Sequence, residues 1–187
     1  GWDKSAYKEG MVLGDIWGLQ FDRFLTEDDF NADGSLKAGL PDQTKVFPAG
    51  YQFAPGDVLY KDLDNNGEIV KQTNTNDKGD LSVIGNALPR LQFGLNLDAA
   101  WKGFDISMFF QGVAKRKLWA AGNQVLPGFT TGEPFYKGAE DYWTPENTDA
   151  FYPRPMDYKQ SASGNYSVND RYLLNMAYLR LKTFTVG

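Results

Sequence analysis

Between Leu91 and Val113 apolar and polar side chains change places at almost every step, which is the period of a β-strand and not of a helix. Leu91, Phe93, Leu95, Leu97 and Trp101 alternate with Gln92, Gly94, Asn96 and Asp98; after Lys102-Gly103, Phe104, Ile106, Met108 and Phe110 alternate with Asp105, Ser107 and Gln111. A two-residue Lys-Gly connection suits a tight hairpin. It pairs Trp101 with Phe104, Ala99 with Ile106 and Leu97 with Met108. The large apolar side chains then share one face, with Phe109 the exception, and the other face is polar.

Two environments accept such a hairpin, and the pattern alone leaves both open. In a soluble sandwich the apolar face meets a second sheet. In an outer-membrane barrel it meets lipid and the polar face lines the lumen. Each arm is about 11 residues long, near the ~9–11 that a tilted membrane-spanning strand needs and longer than the usual ~5–6 of globular strands. Trp101 and Phe104 sit beside the turn, where an aromatic girdle would lie at the membrane surface.

The connections favour the barrel. One very short turn lies between two long segments rich in Asp, Asn, Gly and Pro, about 23–90 and 114–170. Loops this long are uncommon in compact soluble domains. Outer-membrane barrels pair short periplasmic turns with long extracellular loops. Two more strands are expected, one over Met11 to Phe21 and one over Arg171 to Gly187, where Tyr178, Arg180, Lys182, Phe184 and Val186 alternate with Leu179, Leu181, Thr183 and Thr185. The chain breaks off in that last strand without a turn, as a piece of a longer protein would. Short helical turns are expected at Thr26 to Asp29, with Thr26 as cap, and over Lys137 to Tyr142.

Composition removes several functions. The 187 residues include no Cys and no His, which excludes thiolate chemistry, His-based triads and imidazole metal sites. A net charge of −5 with one basic triplet, Lys115-Arg116-Lys117, argues against nucleic-acid binding and reads as a rim cluster on the outer end of the hairpin. No run of about 18 apolar residues offers a membrane helix.

Asp62-Leu63-Asp64-Asn65-Asn66-Gly67-Glu68 has the opening of a calcium loop. Side-chain oxygens stand at positions one, three and five, Gly at six and the Glu68 carbonyl at seven. Asp62, Asp64, Asn66 and Glu68 are the candidate calcium ligands. Position twelve is Thr73, which offers no bidentate carboxylate; Asp77 or Asp80 would have to return instead. The bland alternative is an Asx-rich surface turn. Tyr142 and Trp143 are candidates to stack on a sugar, and Arg180 and Lys182 to touch a ligand or partner in the lumen. Among Asp28, Asp29, Glu133, Glu140, Asp141 and Glu146, no spacing singles out a glycosidase pair.

Taken in order, short segments resemble the C-terminal third of SusC/RagA-type TonB-dependent transporters. They are Asp15-Ile16-Trp17-Gly18 with Phe21-Asp22-Arg23; Pro55-Gly56-Asp57-Val58 with Tyr60-Lys61-Asp62 through Gly67; and Val83-Ile84-Gly85-Asn86 with Pro89. Further along come Lys102-Gly103-Phe104-Asp105 with Phe109-Phe110-Gln111-Gly112; Tyr142-Trp143-Thr144-Pro145-Glu146-Asn147 with Tyr152-Pro153-Arg154; and Tyr178-Leu179-Arg180-Leu181-Lys182 with Val186-Gly187. The resemblance covers nearly all of the chain. It departs at Leu19, where the family usually has Tyr, and in an insertion near Lys71 to Gly79 that stretches the acidic loop.

The resemblance implies an all-β fold: antiparallel strands of a barrel of about 22 strands, with residues 1–187 as its C-terminal part, hairpin 91–113, extracellular loops about 23–90 and 114–170, and about four strands in all. It also implies TonB-driven import of oligosaccharides or peptides across the outer membrane of a Bacteroidetes-like bacterium. A SusD-like surface lipoprotein would act as lid, outer-membrane lipid would surround the wall, and no enzyme activity or nucleic acid would be involved; the one candidate cofactor is the calcium read from the spacing of the acidic turn. The competing readings are a secreted soluble β-domain that binds glycans with calcium, and a hydrolase working through two loop carboxylates.

Overall fold

The computed structural model describes residues 11–71, 77–122, 124–128, 136–156 and 164–187. They form an all-β chain with nine strands: β1 (Asp15–Gly18), β2 (Phe21–Phe24), β3 (Val58–Tyr60), β4 (Ser82–Asn86), β5 (Leu91–Trp101), β6 (Phe104–Ala114), β7 (Lys117–Leu118), β8 (Leu174–Asn175) and β9 (Tyr178–Val186). Among the described residues helix is limited to single 3₁₀ turns at Glu27–Asp29 and Lys137–Ala139 and a π-helical turn at Gly164 and Asn165. No helix among the described residues is long and apolar enough to cross a membrane, which says nothing about strands.

The three long strands make one antiparallel sheet in the order β5-β6-β9. Trp101 pairs with Phe104, Ala99 with Ile106 and Leu97 with Met108, the register that the alternation predicts. Lys102 and Gly103 turn the chain with φ of 50° and 89°, the mirror-image turn whose twist matches paired strands. The Lys102 ammonium lies 4.8 Å from the centre of the Trp101 ring.

β9 departs from simple alternation. Phe109 faces Thr183 but Phe110 faces Leu181, so Lys182 is skipped in the register. An extra residue flips the phase of everything beyond it. Leu179, Leu181, Phe184 and Val186 therefore come onto the face of Ile106, Met108 and Phe110, while Arg180, Thr183 and Thr185 stand opposite Gln111, Phe109 and Ser107. Strict alternation puts Arg180 and Phe184 on one face; the bulge corrects that and makes the apolar face continuous across all three strands.

Two glycines in this sheet are filled from across the ladder. A Cβ on Gly112 would fall 2.2 Å from the Phe93 ring, and one on Gly94 would fall 3.0 Å from the Phe109 ring. Phe109, the aromatic outlier on the polar face, thus covers the bare backbone at Gly94.

The apolar face carries Leu91, Phe93, Leu95, Leu97, Trp101 and Phe104, from 42% to 70% exposed, and continues through Leu179, Leu181, Phe184 and Val186. Left in water, that face forgoes on the order of 10 kcal/mol of burial.

The two long connections fold onto each other beyond the loop end of the sheet. The expected strand over Met11 to Phe21 is divided: β1 pairs with β4, β2 pairs with β3, and between them Leu19 bridges to Asn169. Leu19, Phe24, Val46, Phe47, Val58, Tyr60, Ile69, Leu81, Trp143 and Ala150 form one buried core, and Leu126, Tyr166 and Tyr172 a second. The connections are thus a cap with its own interior, hydrogen-bonded at its rim through β7 and β8. The turn at residues 26–29 is held by Asp29, whose carboxylate accepts from the Thr26 backbone N–H at 2.8 Å and from the Thr26 hydroxyl at 3.2 Å. The expected helical turn over Lys137 to Tyr142 is limited to Lys137–Ala139.

Replacing Gly112 with Val should drive its side chain into the Phe93 ring and cost about 1–3 kcal/mol. Gly138→Ala, whose Cβ meets nothing within 4 Å, serves as the neutral control. The check is the temperature at which the folded band of the full-length protein is lost in unboiled detergent gels. Equal temperatures for both variants would refute the packing assigned to Phe93.

Candidate functional site

The cap is organised around one buried carboxylate. Asp57 is 0% exposed and directly follows Gly56, which turns the chain at φ 90° with its Cα against the Trp143 ring. Asp57 Oδ1 accepts from Arg154 Nε at 2.8 Å, from the Tyr51 hydroxyl at 2.8 Å and from Asn165 Nδ2 at 3.0 Å. Its Oδ2 accepts from the Ala54 N–H at 2.9 Å and from Arg154 Nη2 at 3.2 Å. Asn165 Oδ1 in turn accepts from the Val58 N–H at 2.7 Å. Burial first, then the Asp57 charge, pushes the Tyr51 phenol well above its ordinary range, so it remains a donor. Residues 51–58 are thereby tied to Arg154 and Asn165, about a hundred positions away. The sequence quotes both ends, Pro55-Gly56-Asp57-Val58 and Tyr152-Pro153-Arg154, but nothing in their spacing says that they meet.

The acidic turn folds around its own backbone. Asp62 accepts from the N–H groups of Asn65 at 2.7 Å and Gly67 at 2.8 Å; Asp64 accepts from Asn66, and Asn66 Oδ1 from Glu68. Asp80 is the returning residue. It is 0% exposed, accepts from the N–H groups of Leu63 and Val70 at 2.8 Å each, and brings a carboxylate oxygen within 4.8 Å of oxygens of Asp62 and Asp64. Thr73 lies outside the described residues. The Glu68 carboxylate pairs with Lys45, which leaves its backbone carbonyl as the group the loop offers, and Asp80 joins Asp62 and Asp64 as the third carboxylate. Burial acts to raise the Asp62 carboxyl, but the N–H groups of Gly67 and Asn65 outweigh it and hold it below its ordinary value. Asp64 is held above, by burial and then by the charges of Asp80 and Asp62. Three carboxylates in one place are a hard-oxygen ligand set, suited to calcium or magnesium.

The third feature is an aromatic cleft of about 430 Å³. Tyr136, Tyr142, Tyr152, Tyr166, Pro153 and Pro155 form most of its wall, and Lys137 and Glu140 also line it. Tyr152 stacks on Tyr172 at 6.0 Å, and Tyr166 meets Tyr172 edge-on at 5.3 Å. Burial pushes the phenols of Tyr152 and Tyr166 up, which keeps them neutral. Tyr136 and Tyr142 are 45% and 40% exposed, so their rings are free to receive a ligand.

The residues chosen from the sequence therefore separate. Tyr142 lines the cleft, whereas Trp143 is 6% exposed in the core and not available for stacking. Arg180 stands on the polar face of the sheet opposite Gln111, and Lys182 is the bulge residue. Of the acids considered for hydrolysis, Asp29 binds Arg23 and Thr26, Asp141 accepts from Asn147 and the Phe151 N–H, and Glu133 lies outside the described residues. The hydrogen bonds to Arg23 lead the causes that lower the Asp29 carboxyl to about 2.

Arg154→Ala should leave the Asp57 charge buried without its counter-ion, a loss of about 3–5 kcal/mol. Limited proteolysis of the full-length protein in detergent should then clip the cap much faster than in the wild type. Lys45→Ala, which removes an exposed pair, should change little. A cap as resistant in Arg154→Ala as in the wild type would show that the Asp57 cluster does not hold it.

No family model matches the chain. Two curated proteins of Formosa agariphila are similar to it. TonB-dependent receptor P3 is 27% identical over 186 residues, 96% of this chain and 15% of that protein. TonB-dependent receptor P26 is 34% identical over 124 residues, 64% of this chain and 11% of that protein. The chain thus spans less than a sixth of the length of either relative.

Proposed function

We propose that the protein this chain represents is a SusC-like TonB-dependent receptor, as its similarity to two such receptors supports, and that it imports oligosaccharides or peptides across a bacterial outer membrane. One observation carries this reading: an extended antiparallel sheet whose apolar face is continuous and bare while its other face is polar. In lipid the bare face is satisfied, and closing the sheet into a barrel pairs the outer edges of β5 and β9. The Lys102-Gly103 turn then faces the periplasm, and residues about 23–90 and 114–170 form the outer cap. The chain contributes wall, lumen lining and cap, and no covalent chemistry. Energy comes from TonB acting on parts of the protein elsewhere, and a SusD-like lipoprotein meets the cap from outside.

The test is native mass spectrometry of the tagged full-length protein extracted in detergent from outer membranes, with uptake assays in cells with and without TonB. A large barrel polypeptide bound to a surface lipoprotein, with TonB-dependent uptake of an oligosaccharide or peptide, is the expected result. A water-soluble mature chain near 20.9 kDa without a partner would overturn it in favour of a secreted glycan-binding module.

We propose in addition that the acidic turn takes a calcium ion through the side chains of Asp62, Asp64 and Asn66 and the Glu68 carbonyl, as its spacing suggests. The meeting of Asp80 with Asp62 and Asp64 supports a ligand set that the sequence left incomplete. The ion would offset the repulsion among the three carboxylates and stiffen the cap. Calcium titration of the full-length protein should raise its unfolding temperature, and Asp64→Asn should abolish the rise. An identical response in both proteins, or none in either, would dispose of the site.

A further inference from the structure

From the aromatic cleft we infer a subsite for a neutral pyranose ring, with Tyr136 and Tyr142 as its stacking surfaces. The inference rests on the import reading above and narrows its cargo at this one place. The volume of about 430 Å³ is within the ordinary range for small-ligand sites and admits a ligand of disaccharide size.

The chemistry of the wall selects the class. Tyrosine offers a flat apolar face and a polar tip, so a ligand that complements several of them needs flat C–H surfaces edged by hydroxyl groups. A pyranose has both. Lys137 and Glu140 bring one positive and one negative charge to the same wall, so the site has no net preference for an anion or a cation. Together they supply donors and an acceptor to hydroxyls, which both donate and accept.

Proline-rich peptides are the other class that aromatic walls take. Polyproline has no N–H to give to the Glu140 carboxylate, and Pro127, Pro153 and Pro155 already stand in the wall itself, where they fix the backbone beneath the rings. The cleft is also held rigid before any ligand arrives. Tyr152 and Tyr166 both pack on Tyr172, whose hydroxyl donates to the Phe151 carbonyl at 3.2 Å. Arg154, between the lining residues Pro153 and Pro155, is fastened to Asp57. The Tyr152 and Tyr166 side of the wall therefore costs a ligand little to arrange.

The experiment uses the full-length receptor in detergent and a probe panel of maltohexaose, cellohexaose, laminarihexaose, xylohexaose and decaproline. Binding is read by saturation-transfer NMR and calorimetry. At least one hexasaccharide should bind the wild type. Tyr136→Ala and Tyr142→Ala should each weaken it about tenfold or more, while Tyr142→Phe should stay within about threefold, because the ring face is kept. Unboiled gels establish that all variants are folded. Sugar binding equal in wild type and Tyr→Ala variants, binding of decaproline alone, or no binding of any probe would each overturn the subsite. Uptake in cells separates this from the import reading. TonB-dependent uptake that is unchanged in Tyr142→Ala keeps the transporter and discards the cleft, whereas no TonB-dependent uptake of any sugar or peptide sinks the transporter itself.

Discussion

Backbone N–H and C=O groups must find partners wherever water is absent, and β6, paired with β5 on one side and β9 on the other, meets that demand while the outer edges of β5 and β9 do not. The side chains follow from the pairing. Successive residues point to opposite faces, so the ladder that satisfies the backbone also sorts Leu, Phe, Trp and Ile to one side and Asp, Asn, Gln, Ser and Thr to the other. In water such a sheet would be unstable twice over, through its bare apolar face and through its unpaired outer edges. In a bilayer both defects vanish if more strands close the ring. A sheet of this kind is stable only where its apolar face is covered and its edges are paired.

The cap obeys different rules. It has little regular pairing, and its stability rests on buried side chains and on polar groups that replace a ladder. Asp57 does for the cap what the ladder does for the wall. It joins segments far apart in sequence through five donors, and its charge is balanced by Arg154. Such a cluster is intolerant of partial loss, since removing one partner leaves the others buried and unsatisfied. Asp80 repeats the device on a smaller scale by holding the N–H groups of Leu63 and Val70. Irregular backbone is kept in one conformation by buried carboxylates, and an outer surface built this way keeps a defined shape without long strands.

How much of this could be read in advance depended on the range of the interaction. The hairpin was legible because its signal is local: period two, a Lys-Gly turn and alternating faces specify the register of Trp101 with Phe104 without reference to the rest of the chain. β9 was legible as a strand, but not in its phase. A single skipped residue at Lys182 decides on which face Phe184 and Val186 lie, and it is visible only against the facing strand. The calcium-type turn was legible up to Gly67. Its return through Asp80 was one of two named possibilities, and only burial distinguishes Asp80 from Asp77. The link between Asp57 and Arg154 left no periodic trace. Trp143 shows the opposite error, since an aromatic next to Tyr142 looks available for stacking until Gly56 is seen to admit its ring into the core.

That last contrast bears on how a cap of irregular backbone presents a side chain. Of two adjacent aromatics, Trp143 is buried to hold the loop and Tyr142 is turned outward into the cleft, so the same short segment supplies both the scaffold and the contact. The alternation is the strand rule applied at a loop: neighbouring residues face opposite ways, and one side is anchored so that the other is presented. Because the anchoring side rests on Gly56, and Gly56 adjoins Asp57, the position of the Tyr142 ring is coupled through two contacts to the Arg154 pair. A change that loosens the Asp57 cluster should therefore disturb the cleft without touching it, and the cleft is only as rigid as the carboxylate beneath it.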